Sequence, residues 1–231
     1  MDLSFDSFVL TASTADLADE PAARDTADAL EFRMDLATDA LDALDAYEGA
    51  LPILATNRAE WEGGESIESE RDRLAALVAA ADHDAVAAID IELATLKTDL
   101  GAEVADRVRE RDATVVASIH DFERTPARSE LTRLLREAAH HGDVGKLAVT
   151  AQTKHDALKL LEVTERATTW GDRVATIAMG EPGRHTRAVA PVYGSKIGYA
   201  PVNPKDATAP GQYDLETLRS LVRGLSSNPD V

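Results

Sequence analysis

Lys146 lies between Val144-Gly145 and Leu147-Ala148-Val149, inside an apolar run of strand length. A lysine pointing from such a strand into an enclosed, partly apolar space loses solvation, and that disfavours its charged form. Free lysine titrates near 10.4, so only about one amine in 2500 is neutral at pH 7. A fall of roughly three pH units costs about 4 kcal/mol and makes the amine a usable nucleophile toward a carbonyl. The alternative is a lysine paired with Asp90, Glu92 or Glu31 purely for structure. His120 closes the preceding apolar run, and imine chemistry needs a proton shuttle near neutral pH. His83, His140, His141, His155 and His185 fall in helical or loop segments and read as solvated. None forms a metal set with Asp or Glu, so no metal is expected.

The elements that must hold these two residues follow from the hydrophobic pattern. Short runs rich in Val, Ile, Leu and Ala predict strands at 7–13, 29–35, 51–56, 86–92, 113–119, 144–149, 173–179 and 196–200. Between them lie amphipathic stretches. Leu93, Leu96, Leu100, Val104 and Val108 share helical spacing, as do Leu215, Leu218, Leu221, Val222 and Leu225. Thr125-Pro126 reads as a helix N-cap followed by proline at the first helical position. Strands alternating with helices call for a parallel sheet covered on both faces. At 231 residues the expected fold is α/β, a single-domain (β/α)8 TIM barrel over 1–231, with a loose tail at 226–231. A doubly wound open sheet is the alternative.

A doubly covered strand should be apolar on both faces, and several here are not. Glu31, Arg33 and Asp35 share one parity, opposite Leu30, Phe32 and Met34. Thr56 and Arg58, Asp90 and Glu92, Ser118 and His120, and Lys146 fall on the same kind of polar parity in their own strands. Charges on one parity make sense facing a barrel interior, converging near the carboxyl ends of the strands. A buried ion-pair network filling the barrel is the other reading.

Composition removes whole classes of function. The chain carries 42 Asp and Glu against 24 Lys and Arg, a net charge of −18, which repels nucleic-acid phosphates and anionic lipid. Only six of its cations are lysine, and a heavily acidic, lysine-poor surface suits a cytoplasm of molar salt, as in a halophile. It has no cysteine, so disulfides, thiolate metal sites and cysteine nucleophiles are out. No apolar run approaches the roughly 20 residues of a membrane helix, and no secretory signal is visible after Met1-Asp2. The expected setting is cytoplasmic.

Read in order, the motifs resemble those of the type I 3-dehydroquinate dehydratases, from Glu31 to Gln212. Glu31-Phe32-Arg33-Met34-Asp35 is similar to that family's E-x-R-x-D strand. Thr56-Asn57-Arg58 with Glu62-Gly63-Gly64-Glu65 resembles T-x-R…E-G-G. Ser118-Ile119-His120-Asp121-Phe122 with Thr125-Pro126, and then Lys146-Leu147-Ala148, resemble its histidine and lysine strands. Met179-Gly180, Gly183, Thr186-Arg187 and Gly194-Ser195 follow, and Thr208-Ala209-Pro210-Gly211-Gln212 is similar to the lid. Thr186 and Thr208 stand where the family usually has serine, and both keep a hydroxyl.

The resemblance implies conversion of 3-dehydroquinate to 3-dehydroshikimate in the shikimate pathway, through an imine on Lys146 and without cofactor. It implies that His120 moves the protons and that Glu62 orients His120. Arg187 and Gln212 would hold the substrate carboxylate, with Thr208 in the closing lid. Glu31, Arg33 and Arg58 would contact ring hydroxyls or support the site. In the first strand, Ser13 is the expected contact rather than Thr11. A homodimer is the expected assembly, with a small-molecule substrate, no nucleic acid and no membrane. Two rivals are another imine-forming barrel lyase, such as an aldolase, and a silent barrel that only binds.

Overall fold

The computed structural model describes residues 3–203, 205 and 211–225. Its strands are β1 (Val9–Thr14), β2 (Ala29–Arg33), β3 (Ile53–Thr56), β4 (Val86–Glu92), β5 (Thr114–Asp121), β6 (Val144–Thr150), β7 (Val174–Met179) and β8 (Ile197–Pro201). All pair in parallel, in the order β7-β6-β5-β4-β3-β2-β1-β8. Helices α1 (Glu20–Ala23), α2 (Ala40–Asp45), α3 (Glu70–Ala80), α4 (Leu93–Leu96), α5 (Asp99–Arg109), α6 (Arg128–His141), α7 (Lys154–Thr169), α8 (Thr186–Val189) and α9 (Leu215–Leu225) connect or flank the strands. This is the nearly closed TIM barrel the alternation predicts. Among the described residues no helix is long and apolar enough to cross a membrane.

Strand parity sorts the side chains into two cores. Leu30 and Phe32 join Leu10, Ile53, Ile89 and Ile91 in the layer between sheet and helices, so Phe32 faces outward as expected. The opposite parity fills the barrel. Val9, Ala29, Leu54, Ala88, Val116, Val144 and Ala175 form an apolar plug, with Phe5 packed into it from the segment before β1. Beyond it, toward the carboxyl ends, the inward positions turn polar: Glu31, Asp90, Ser118 and Lys146 are all buried. The plug excludes water from below, and the charged layer above must therefore balance itself.

Two local expectations change. Thr125 is not the N-cap of α6: Ala127 holds that place with an extended backbone and no side-chain cap. The Thr125 hydroxyl instead donates to the Thr150 carbonyl at 2.8 Å, tying the loop after β5 to the end of β6. The apolar spacing from Leu93 to Val108 is split between α4 and α5, because Thr98 caps α5 by accepting from the Gly101 N–H at 3.0 Å. A side chain at Gly101 would sit 2.0 Å from the Thr95 carbonyl oxygen, so only glycine fits that corner. The expected tail at 226–231 lies outside the described residues.

Closure falls to the β7–β8 seam, where the strand order ends. The Lys196 N–H donates to the Val174 carbonyl at 2.7 Å, and the Ser195 hydroxyl accepts from the Thr176 N–H at 3.0 Å. A side-chain oxygen thus stands in for a ladder carbonyl at a buried position. Ser195→Ala should cost about 1–3 kcal/mol, the penalty for leaving a buried N–H unpaired. Urea unfolding in molar KCl measures it, and an unchanged midpoint would deny Ser195 this part in closure.

Candidate functional site

Lys146 points from β6 into the barrel, with its side chain 3% exposed. Its Nζ donates to Asp90 Oδ2 at 2.8 Å, lies 3.9 Å from Glu31 Oε1, and sits 4.4 Å from the centre of the Tyr199 ring. Of the three carboxylates that the sequence offers as partners, Asp90 is the one in contact with the amine. Asp90 is level with Val116 on β5, and Ser118 donates to its Oδ1 at 2.6 Å. Burial by itself would raise the Asp90 carboxyl, but Lys146, Arg58 and the Ser118 hydroxyl outweigh that and hold it below its ordinary value.

His120 is one inward step beyond Ser118 on β5. Its Nδ1 lies 2.9 Å from Glu62 Oε1, and the same oxygen accepts the His120 backbone N–H at 2.9 Å. Burial, then the positive charges of Arg58, Lys146 and Arg33, push the imidazole well below its usual range, so it is neutral at pH 7. Glu62 moves the other way, up to about 8. Burial is the main cause, Glu92 and Asp90 add to it, and Arg58 and the His120 N–H oppose it. Below that pH the pair is a protonated carboxyl against a neutral imidazole. Above it, a carboxylate fixes the proton on Nδ1 and leaves Nε2 free as a base.

Glu62 reaches this position on a tight 3-10 turn, Glu60–Glu62, that ends at Gly63 with φ 76°. A side chain on Gly63 would meet the Phe122 ring at 2.4 Å, and one on Gly64 would meet the Arg58 carbonyl at 2.1 Å. The Glu-Gly-Gly run is therefore a steric requirement for folding the turn against β5 and beneath Arg58.

These groups surround a cavity of about 190 Å³ lined by Lys146, His120, Arg58, Arg187, Tyr199 and Gln212, with Glu31 and Arg33 also on its wall. Arg33 is forked onto Asp35 at 2.9 and 2.6 Å. Arg187 differs: it is buried, and among the described residues its Nε and one terminal nitrogen have no partner. Burial lowers it to about 10, against a small opposing effect of Tyr213. Two N–H groups aimed in a rigid fork with nothing to bind suit a carboxylate. The Tyr199 hydroxyl is likewise buried without a partner among the described residues.

Most of the residues singled out from sequence meet here, with exceptions. Ser13 does not reach this cavity; its hydroxyl donates to Glu31 Oε2 at 2.6 Å and braces that carboxylate instead. Thr11 donates to the Gly198 carbonyl of β8. Glu62 stands behind His120, off the cavity wall. Thr208 lies outside the described residues. Tyr199 is a further inward residue, and its parity on β8, level with Thr11, is the sequence signal for it. Arg73 on α3 carries no sequence signal, because its partners Asn57 and Glu92 are distant in the chain. Among the described residues no group of three or more His, Asp or Glu side chains could hold a metal ion.

Comparison with known proteins adds an independent line. A family model described as type I 3-dehydroquinase matches residues 8–229. A 3-dehydroquinate dehydratase of Haloquadratum walsbyi is 56% identical, over 97% of this chain and 95% of that one. One from Haloarcula marismortui is also 56% identical, over 98% of this chain and 100% of its own. Among solved structures, the 3-dehydroquinate dehydratase of Geobacillus kaustophilus superposes with a TM-score of 0.84 at 28% identity, covering 96% of this chain and 93% of that one.

The raised Glu62 carboxyl has a consequence for stability. In the fold it keeps its proton up to about 8, whereas unfolded it releases the proton near its ordinary 4.5. Between those pH values the native state binds more protons, so this group's contribution is full below 4.5 and lost by about 8. The slope is at most about 1.4 kcal/mol per pH unit. Glu62→Gln cannot ionise, so its stability should fall less between pH 5 and pH 8 than the parent's. Urea unfolding across that range checks this, and parallel curves for the two proteins would contradict it.

Proposed function

The chain belongs to the type I 3-dehydroquinase family, and from that premise we propose that it dehydrates 3-dehydroquinate to 3-dehydroshikimate through an imine on Lys146. The observation that carries this reading is the shared cavity. A lysine amine, a neutral histidine and an arginine fork without a partner among the described residues line one cavity.

The Lys146 ammonium gives up one proton and its amine attacks the substrate ketone; the adduct takes that proton back and loses water, which leaves a cationic iminium. The charge stays at the nitrogen that Asp90 already faces at 2.8 Å, so the buried carboxylate keeps its partner. His120 takes the proton alpha to the iminium carbon, and the electron pair moves to nitrogen as an enamine. The enamine pushes out the hydroxyl on the next carbon, which leaves as water with the proton His120 had taken. Hydrolysis of the resulting conjugated iminium consumes one water and frees Lys146. One water is lost overall.

Arg187 supports the reading as the clamp for the substrate carboxylate, with Gln212 beside it on the cavity wall. Glu62 supports His120 through Nδ1, and Ser13 acts one step back through Glu31. Arg58, 3.9 Å from Glu31, adds positive charge that draws an anionic substrate into a protein of net charge −18.

Borohydride trapping tests the proposal. Incubation with 3-dehydroquinate in molar KCl followed by borohydride should leave a stable mass adduct on the peptide containing Lys146. Lys146→Ala, folded by circular dichroism, should lose the adduct and turnover together. His120→Ala should still be trapped while kcat falls about 100- to 10,000-fold. A folded parent that forms no adduct would overturn the imine reading.

A further inference from the structure

We propose that Arg73, a helix residue outside the cavity, is a positioning residue for the dehydration: it holds the Glu92 carboxylate and the turn carrying Glu62 in their working arrangement. This rests on the reading that His120 is the base and Glu62 its support.

The guanidinium is 1% exposed and uses all five of its donors. Nη1 donates to the Asn57 carbonyl at 2.6 Å and to Glu92 Oε1 at 3.2 Å. Nη2 donates to Glu92 Oε2 at 2.8 Å and to Glu70 Oε1 at 3.0 Å, and Nε donates to Glu70 Oε2 at 3.1 Å. Glu92 Oε1 in turn accepts the Ala59 N–H at 2.8 Å. Arg73 therefore fixes the segment after β3 at two backbone points, the Asn57 carbonyl directly and the Ala59 N–H through Glu92. Between and just beyond those points the segment presents Arg58 to the cavity and Glu62 to His120. None of these donors faces the cavity, so Arg73 acts only through what it holds.

The second effect is on charge. The groups facing Glu62 are Glu92 and Asp90, which are negative, and Arg58 and His120, whose charge or N–H opposes them. Glu92 itself faces Arg73, Asp90 and the Ala59 N–H. Burial raises the Glu92 carboxyl, and the charge of Arg73 is the largest effect opposing that rise. Without Arg73 this buried, unpaired carboxyl takes up a proton. Glu62 then loses a negative neighbour and releases its own proton at lower pH. Removing a positive charge from the protein thus lowers the pH at which His120 becomes a base, the reverse of a simple long-range effect.

The test is the pH profile of kcat/KM for Arg73→Met, Arg73→Lys and Glu92→Gln in molar KCl, with folding followed by circular dichroism. Arg73→Met and Glu92→Gln should both move the rising limb about one pH unit toward acid, a tenfold gain relative to each variant's own plateau at the foot of the limb. Arg73→Lys keeps the charge and should leave the limb near the parent's. An unmoved limb with kcat/KM lowered equally at every pH, or a limb moved toward base, would overturn the assignment. Should Arg73→Met fail to fold, the double variant Arg73→Met with Glu92→Gln has no unpaired carboxyl and carries the same expectation. Its limb at the parent's position would equally overturn the proposal. The parent's borohydride adduct is the control. Its absence ends the imine reading beneath this inference, whereas an intact adduct with an unmoved limb ends the Arg73 assignment alone.

Discussion

A cation buried in the middle of a parallel barrel needs a counter-charge within reach, and here that need is met by Asp90 at 2.8 Å from Lys146. The remaining interior is arranged around this contact. Ser118 occupies the other oxygen of Asp90, and Glu31 approaches the amine while Ser13 and Thr56 hold it by hydrogen bonds. Tyr199 covers the ammonium with its ring. Below, the apolar plug denies these groups water. The pair survives because every charge in the layer has a neighbour of opposite sign, and the same balance lets a covalent cation replace the ammonium during reaction.

The second arrangement grows out of the first. Asp90 and Glu92 lie on the same face of β4 and both press a proton onto Glu62, while Arg58, Lys146 and Arg33 press one off His120. Two groups whose environments push them in opposite directions are thereby matched to one shared proton. Arg187 completes the cavity with an Nε and a terminal nitrogen that have no partner among the described residues. A buried guanidinium with two unsatisfied nitrogens among the described residues suits an anion that the substrate supplies.

Much of this was legible in the sequence because strand periodicity is strict. A residue's parity decides whether it meets helices or the barrel interior, so Glu31, Asp90, Ser118, His120 and Lys146 could be placed on one surface before any contact was known. What parity does not carry is partner choice. It left Lys146 open to Asp90, Glu92 or Glu31, and the structure divides them: Asp90 takes the lysine, Glu92 takes Arg73. Hydroxyl residues were the least readable. Thr125 and Ser13 fitted a cap and a substrate contact, yet each is claimed by a nearer acceptor, the Thr150 carbonyl and Glu31. Arg73 was invisible because its significance lies in three segments distant in sequence meeting at one guanidinium.

The most direct test of the central contact is a double-mutant cycle on Asp90→Asn and Lys146→Met, followed by urea unfolding in molar KCl. Each single substitution strands a buried charge and should cost about 3–5 kcal/mol, while the double variant removes both charges and should cost less than either alone. Losses that simply add would contradict the account, since the amine would then be held by the barrel without its carboxylate.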